Sequence, residues 1–266
     1  MNIANDQIEQ FREEGYMILE NVIPEAHLQM LRDQCQIFID EMDARMDREG
    51  TDMIGINHRG NRYFVSNCFR REQKLRDFLL SDLMADVCRA TLGDTAYLFW
   101  EQYVVKGAGK GMKFSWHQDS GYIGYPEHKP YLTCWCALDD MSEENGTVYL
   151  MPFSRIGIRS WVKHIKEPDT GDKVGYFGDD TGIPVIVPAG SIAAFTSLNF
   201  HCSGTNSTPR MRRTYLAQYS AEPLTSQDGS ILFGSAEPIL RDGKSAVGEP
   251  PPDLPSRLDK KGVPAK

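Results

Sequence analysis

The sequence predicts an all-β sandwich or barrel with helices in front of it, and three observations carry that reading. Short apolar runs follow one another after residue 95, at 131–138, 147–151, 183–187, 191–195 and 214–219. Turn formers separate them: Glu144-Asn145-Gly146, Pro152 and Pro188-Ala189-Gly190. Helical periodicity is confined to the part of the chain before these runs. Many short strands punctuated by glycine and proline are the mark of sandwiches and barrels.

The elements follow in order. Asp6 opens a helical run with Ile8 and Phe11 on one face, and Gly15 ends it. Residues 16–19 read as a strand. Pro24 suits a first helical turn, and Leu28, Leu31, Cys35 and Phe38 recur at helical spacing in a helix reaching about Arg48. A further helix spans 72–92, with Leu75, Phe78, Leu79 and Leu83 inward and Gly93 as its stop. Residues 96–105 form a strand rich in aromatics: Tyr97, Phe99, Trp100 and Tyr103. The polar, glycine-rich segment 155–182 is an excursion between strands. From Gly243 onward the chain has little to bury, with Glu249-Pro250-Pro251-Pro252 and Lys260-Lys261-Gly262, and a mobile tail over 243–266 is expected.

Bulk properties narrow the function. A chain of 266 residues can bury a sizeable core, and 41% hydrophobic with 25% charged residues is ordinary for a soluble protein. It holds no apolar run of about 18 residues, so no membrane span is expected. Met1-Asn2-Ile3-Ala4-Asn5-Asp6 has neither the basic nor the apolar region of a secretory signal. A net charge of −8 argues against nucleic acid as partner. The six cysteines, at 35, 68, 88, 134, 136 and 202, contain no Cys-x-x-Cys pair. Reduced, buried cysteines and a cytoplasmic location are the expectation.

The chemistry centres on Trp116-His117-Gln118-Asp119 and a distant His201. Where a strand runs into a loop, residues i and i+2 share a side, so His117 and Asp119 can face one ion while Gln118 points away. With His201 they form a 2-His-1-carboxylate set, which holds Fe(II) by one face and leaves positions open. The same three donors also suit a hydrolytic zinc site. His27, His58, His128 and His164 lack comparable context and read as solvated or structural.

The surroundings of these residues resemble one family. Trp116-His117-Gln118-Asp119-Ser120-Gly121-Tyr122 is similar to the His-x-Asp region of the phytanoyl-CoA dioxygenase (PhyH-like) family of Fe(II)/2-oxoglutarate oxygenases. Trp135-Cys136-Ala137-Leu138-Asp139-Asp140, Glu144-Asn145-Gly146 and Met151-Pro152-Phe153-Ser154 resemble its next strand, turn and Pro-Gly-Ser-His segment, with Phe153 for Gly and Arg155 for His. Pro188-Ala189-Gly190-Ser191 and Phe195 resemble the strand before the distal histidine. His201-Cys202-Ser203-Gly204-Thr205-Asn206 resembles its His-Gly-Ser-Gly-x-Asn, with Cys202 for Gly. The match runs from about residue 7 to 220. The resemblance implies a mainly β double-stranded β-helix, a jelly-roll or cupin-like barrel, with N-terminal helices packed outside one sheet. It implies one oxygenase domain over 1–242, with Fe(II) as cofactor and 2-oxoglutarate and O2 as co-substrates.

Family spacing from the distal histidine falls on Arg212 as the anchor of the 2-oxoglutarate carboxylate, a task suited to a planar bidentate fork. Strand alternation sends Arg212 inward with Thr214 and Leu216, and Arg213 toward solvent with Tyr215. By the same resemblance Trp135, Ser203 and Gln102 belong to the co-substrate pocket. Related halogenases carry a small residue at the position of Asp119, so its carboxylate favours hydroxylation, or a desaturation or cyclisation, of an unactivated C–H bond. For a small-molecule substrate, the candidate contacts are Tyr122, Tyr125 and His128 after the metal loop, and Arg62 within a segment, 58–63, that either binds an anion or is a solvated loop, the loop being the favoured reading. A zinc-dependent hydrolase and a non-catalytic binding module on the same barrel are the alternatives.

Overall fold

The computed structural model describes residues 1–109, 112–167 and 172–261. Two antiparallel sheets build the barrel. In lateral order the larger runs Tyr16–Leu19, Ile192–Thr196, Leu132–Ala137, Arg212–Ser220, Ala96–Lys106, Arg62–Ser66, Asn57–His58 and Met53–Ile54. The smaller runs Ile183–Pro184, Val148–Leu150, His201–Ser203 and Phe114–His117. The arrangement is the expected double-stranded β-helix.

Alternation along the strands makes two cores. Trp135, Val104, Ala193, Phe195 and Leu216 point from the large sheet toward Val148 and Leu150 of the small one. The opposite face carries Cys134, Cys136, Tyr103, Tyr215 and Ala217, and it is covered by Leu28, Leu31, Cys35 and Phe38 of helix Glu25–Glu49. Burying that apolar stripe supplies most of the helix's stability, since propensity alone is weak. Polar tips are satisfied at the seam: Tyr103 Oη donates to the Leu31 carbonyl at 3.0 Å and Tyr219 Oη to the Leu79 carbonyl at 2.7 Å.

Four expectations change. The helix expected over 72–92 is two, Gln73–Leu79 and Asp82–Thr91, broken where Ser81 takes extended backbone angles, φ −72° and ψ 162°. The segment expected as a solvated loop contributes strands, of which Arg62–Ser66 pairs along Ala96–Lys106. Tyr215 does not face solvent; it is fully buried beneath the helices, while Arg213 pairs with Asp139 at 2.6 Å. The stretch after Gly243 has something to bury. Ala246 and Leu258 are buried, Leu232 N–H donates to the Pro255 carbonyl at 2.8 Å, and Arg70 pairs with Asp259 at 3.2 Å. Residues 262–266 lie outside the described residues.

Under the helices, Glu101 is fully buried, and its Oε1 accepts from the Phe69 N–H at 3.3 Å. Burial raises its carboxyl to about 7. In the unfolded chain this group releases its proton near its usual value, before the folded chain does. Stability therefore falls as pH rises from about 4.5 to about 7, by on the order of 3 kcal/mol. Glu101→Gln is expected to flatten that slope and to raise urea-unfolding stability above pH 7. An unchanged slope between pH 5 and 8 would remove Glu101 as its source.

Candidate active site

The site sits between the sheets, where the edge strand of the small sheet meets its neighbour. Strand Phe114–His117 pairs with His201–Ser203 so that His117 and His201 are direct cross-strand partners. Their ring centroids lie 4.1 Å apart. Asp119 follows in a short 3-10 turn, and its Oδ1 lies 3.9 Å from His117 Nε2 and 3.6 Å from His201 Nε2. The three ligand atoms all fall within 4.8 Å of one another.

Each donor is oriented from behind. His117 Nδ1 bonds the Ser115 carbonyl at 2.8 Å and His201 Nδ1 the Asn199 carbonyl at 3.2 Å. A carbonyl can only accept, so the ring proton sits on Nδ1 and Nε2 keeps its lone pair for a metal. Burial, then the neighbouring His201, pushes His117 down to about 4, which leaves its imidazole in the neutral, ligating form. Asp119 Oδ2 accepts from Thr133 Oγ1 at 2.6 Å and from Gln218 Nε2 at 3.0 Å, which turns Oδ1 toward the histidines. Gln118 points away, as alternation requires, and ties Ser160, Val162 and Leu198 to the loop. His164 accepts from the Gln118 N–H at 2.8 Å and is structural. Two imidazole nitrogens and one carboxylate on one face, the other side open to a cavity, fit a divalent iron.

That cavity has a volume of about 500 Å³. Of the expected co-substrate residues, Gln102, Trp135, Ser203 and Arg212 all line it. Arg212 is 2% exposed and its Cζ lies 5.7 Å from the Trp135 ring centre. Among the described residues its terminal nitrogens bond only neutral acceptors, the Gly146 carbonyl at 2.8 Å and Thr214 Oγ1 at 3.2 Å. Burial lowers its guanidinium to about 10. A buried cation held by neutral groups fits an anionic ligand, because burying an unpaired charge is costly. Gly146 sits at φ +74°, and a Cβ there would meet the Gly204 carbonyl at 2.5 Å, so only glycine lets this turn close behind Arg212.

Sequence reasoning missed a second buried basic side chain. Lys106 has 0% exposure and is the cross-strand neighbour of Arg212. Its Nζ donates to Ser203 Oγ at 2.8 Å and also to the Gly204 carbonyl. Burial and then Arg212 push its ammonium down to about 6. With Lys106 donating, the Ser203 hydroxyl proton is left to point at a ligand. Thr133 and Gln218 were also missed, since nothing local marks them as partners of Asp119.

The expected substrate contacts divide. Tyr122 and Arg62 line the cavity. Tyr125 and His128 do not. Tyr125 Oη bonds the Thr225 carbonyl and its ring packs on Phe233, while His128 bridges Ser120 Oγ at 2.9 Å and the Tyr125 carbonyl at 2.6 Å. Both brace the loop after Asp119 from outside.

The family model of phytanoyl-CoA dioxygenase (PhyH) matches residues 11–214. The chain is 24% identical to a methylphosphonate hydroxylase of Gimesia maris, covering 82% of this chain and 81% of that protein. It is 23% identical to an ectoine dioxygenase of Bordetella bronchiseptica, covering 82% and 76%. Among solved structures, EvdO2 from Micromonospora carbonacea var. aurantiaca complexed with 2-oxoglutarate superposes with a TM-score of 0.66 at 21% identity, covering 86% of this chain and 95% of that one, and so shares its fold.

Proposed function

Because the chain belongs to the phytanoyl-CoA dioxygenase family, we propose that His117, Asp119 and His201 hold its iron and that Arg212 anchors its 2-oxoglutarate. The protein is a non-haem iron, 2-oxoglutarate-dependent oxygenase acting on a small molecule. Iron and 2-oxoglutarate together supply an oxidant able to attack an unactivated C–H bond, with release of succinate and CO2.

The observation that carries the residue assignment is the pairing of the converging His117–Asp119–His201 donors with a buried Arg212 that has no acidic partner in hydrogen-bond contact among the described residues. The two histidines hold their Nε2 atoms toward the ion through backbone carbonyls. Thr133 and Gln218 fix the carboxylate. Arg212, with the Ser203 hydroxyl turned by Lys106, receives the distal carboxylate, and Trp135 forms the wall beside it. Gln102 completes that wall from the neighbouring strand. Asp119, a carboxylate rather than a small residue, supports hydroxylation or a related oxidation at carbon. The reading includes a single oxygenase domain over 1–242. It also includes a cytoplasmic location, supported by six cysteines without a disulfide. No described helix is long and apolar enough to cross a membrane.

Slow, substrate-free conversion of 2-oxoglutarate tests the reading. With Fe(II) and O2 the protein is expected to release succinate, and chelation or replacement by Zn(II) is expected to stop it. No succinate from the Fe(II)-loaded protein under O2, with 2-oxoglutarate left unconsumed, would contradict the reading and favour hydrolytic chemistry at the same three donors.

A further inference from the structure

Arg62 is a buried charged group of the cavity that neither iron nor 2-oxoglutarate uses. It opens strand Arg62–Ser66 and is 3% exposed. Its cross-strand partner is Lys106, whose partner on the other side is Arg212. Three buried basic side chains thus stand in one row on one face of the sheet. Neighbouring strands lie about 4.8 Å apart, so the backbones of Arg62 and Arg212 are separated by two strand spacings, about 10 Å. Lys106, between them, is spent on Ser203 and Gly204.

The guanidinium of Arg62 is braced and left open. Its Nε donates to the Ile56 carbonyl at 2.9 Å. Its Cζ lies 5.5 Å from the Phe114 ring centre and 5.8 Å from that of Phe64. The two terminal nitrogens make no hydrogen bond among the described residues, although the side chain lines the cavity. Asp172 and Lys106 are the charged groups facing it, with His58 as its partner on the remaining side. A second cation, Arg257, stands at the mouth, stacked 3.5 Å from the Phe233 ring centre and without an acidic partner among the described residues. The remaining wall is aromatic, with Phe99, Trp100, Phe114, Tyr122 and Tyr131. At about 500 Å³ the space is that of a drug-sized ligand, well beyond 2-oxoglutarate plus a molecule as small as methylphosphonate.

We propose that Arg62 is the anion-binding residue of the primary-substrate subsite, and that the substrate carries an oxyanion group, carboxylate or phosphoryl, on an aromatic or alkyl body. The inference rests on the reading of Arg212 as the co-substrate anchor. A desolvated arginine with both terminal nitrogens open offers a bidentate fork to such a group. The aromatic wall covers the body, and Arg257 draws anions to the mouth.

The test uses the full chain loaded with Zn(II) and saturated with 2-oxoglutarate, so that nothing turns over. Phenylacetate, phenyl phosphate and the neutral phenylacetamide are titrated by calorimetry. One of the two anions is expected to bind about tenfold or more tightly than the amide, and which one does so distinguishes carboxylate from phosphoryl recognition. Arg62→Gln is expected to bring that anion down to the level of the amide, and Arg62→Lys to keep part of the preference. The affinity for 2-oxoglutarate, measured on each variant, reports that the pocket is intact. Anions bound no better than the amide would overturn the proposal. So would Arg62→Gln weakening 2-oxoglutarate as much as the anion, which would assign Arg62 to the co-substrate. If the unaltered protein fails to bind 2-oxoglutarate at all, the underlying assignment of Arg212 fails instead.

Discussion

Asp119→Ala is expected to abolish succinate release and to weaken Fe(II) binding by more than about a hundredfold. The carboxylate is the one anionic donor of the set, and its Oδ1 faces both histidine Nε2 atoms at 3.6 and 3.9 Å. Its removal takes a direct ligand, whereas loss of an outer hydrogen-bond partner costs about 10–100-fold in metal affinity or activity. Thr133→Val supplies that lesser case, since it deletes the 2.6 Å bond to Oδ2 and the 3.0 Å bond that Thr133 Oγ1 accepts from Gln218, while the Gln218 bond to Oδ2 remains. His201→Ala is expected to match Asp119→Ala. Metal content after equilibrium dialysis, read alongside succinate, checks the order. Equal effects from Thr133→Val and Asp119→Ala, or full iron in Asp119→Ala, would contradict the ligand assignment.

Arg212→Ala carries the second large effect, on the co-substrate rather than the metal. It leaves a carboxylate buried without its cation, and breaking a buried charge pair costs about 2–5 kcal/mol, or roughly 30- to 5,000-fold in affinity. Iron binding is expected to stay intact, because Arg212 touches Gly146 and Thr214 and none of the three metal donors. Arg212→Lys restores the charge without the planar fork and is expected to recover only part of the loss. The discriminating ligand is pyruvate, which shares the keto-acid end of 2-oxoglutarate and lacks the distal carboxylate. Its affinity should be the same in Arg212→Ala and in the unaltered protein. A parallel loss for both ligands would mean that Arg212 acts by holding the barrel together.

What the sequence made legible was whatever short-range order encodes. His117 and Asp119 lie two residues apart, so strand geometry alone places them on one side. Alternation sent Arg212 inward, and the structure has it there. Cross-strand register was not legible. Thr133, Gln218 and Lys106 reach the site because Leu132–Ala137, Arg212–Ser220 and Ala96–Lys106 pair at one registration, and that registration is set by contacts far apart in the chain. Arg62 was read within a loop because its strand is short and flanked by Asn57, His58 and Asn61; only pairing with the aromatic strand makes it a wall residue. Alternation also cannot tell solvent from a covering helix, which is why Tyr215 was expected outside and lies at 0% exposure under helix Glu25–Glu49. Tyr125 and His128 were expected in the pocket on proximity to Asp119 in sequence. The chain turns after Tyr122, and both side chains end on the far side of the loop.

The central claim is that one iron and one 2-oxoglutarate meet at His117, Asp119 and His201 with Arg212 behind them. Anaerobic titration of the Fe(II)-loaded protein with 2-oxoglutarate tests it most directly. A weak metal-to-ligand charge-transfer band is expected to grow and saturate at one equivalent, to be absent in Asp119→Ala, and to need a much higher ligand concentration in Arg212→Ala. A protein that holds iron yet shows no such band, or an Arg212→Ala variant that titrates like the unaltered chain, would contradict it.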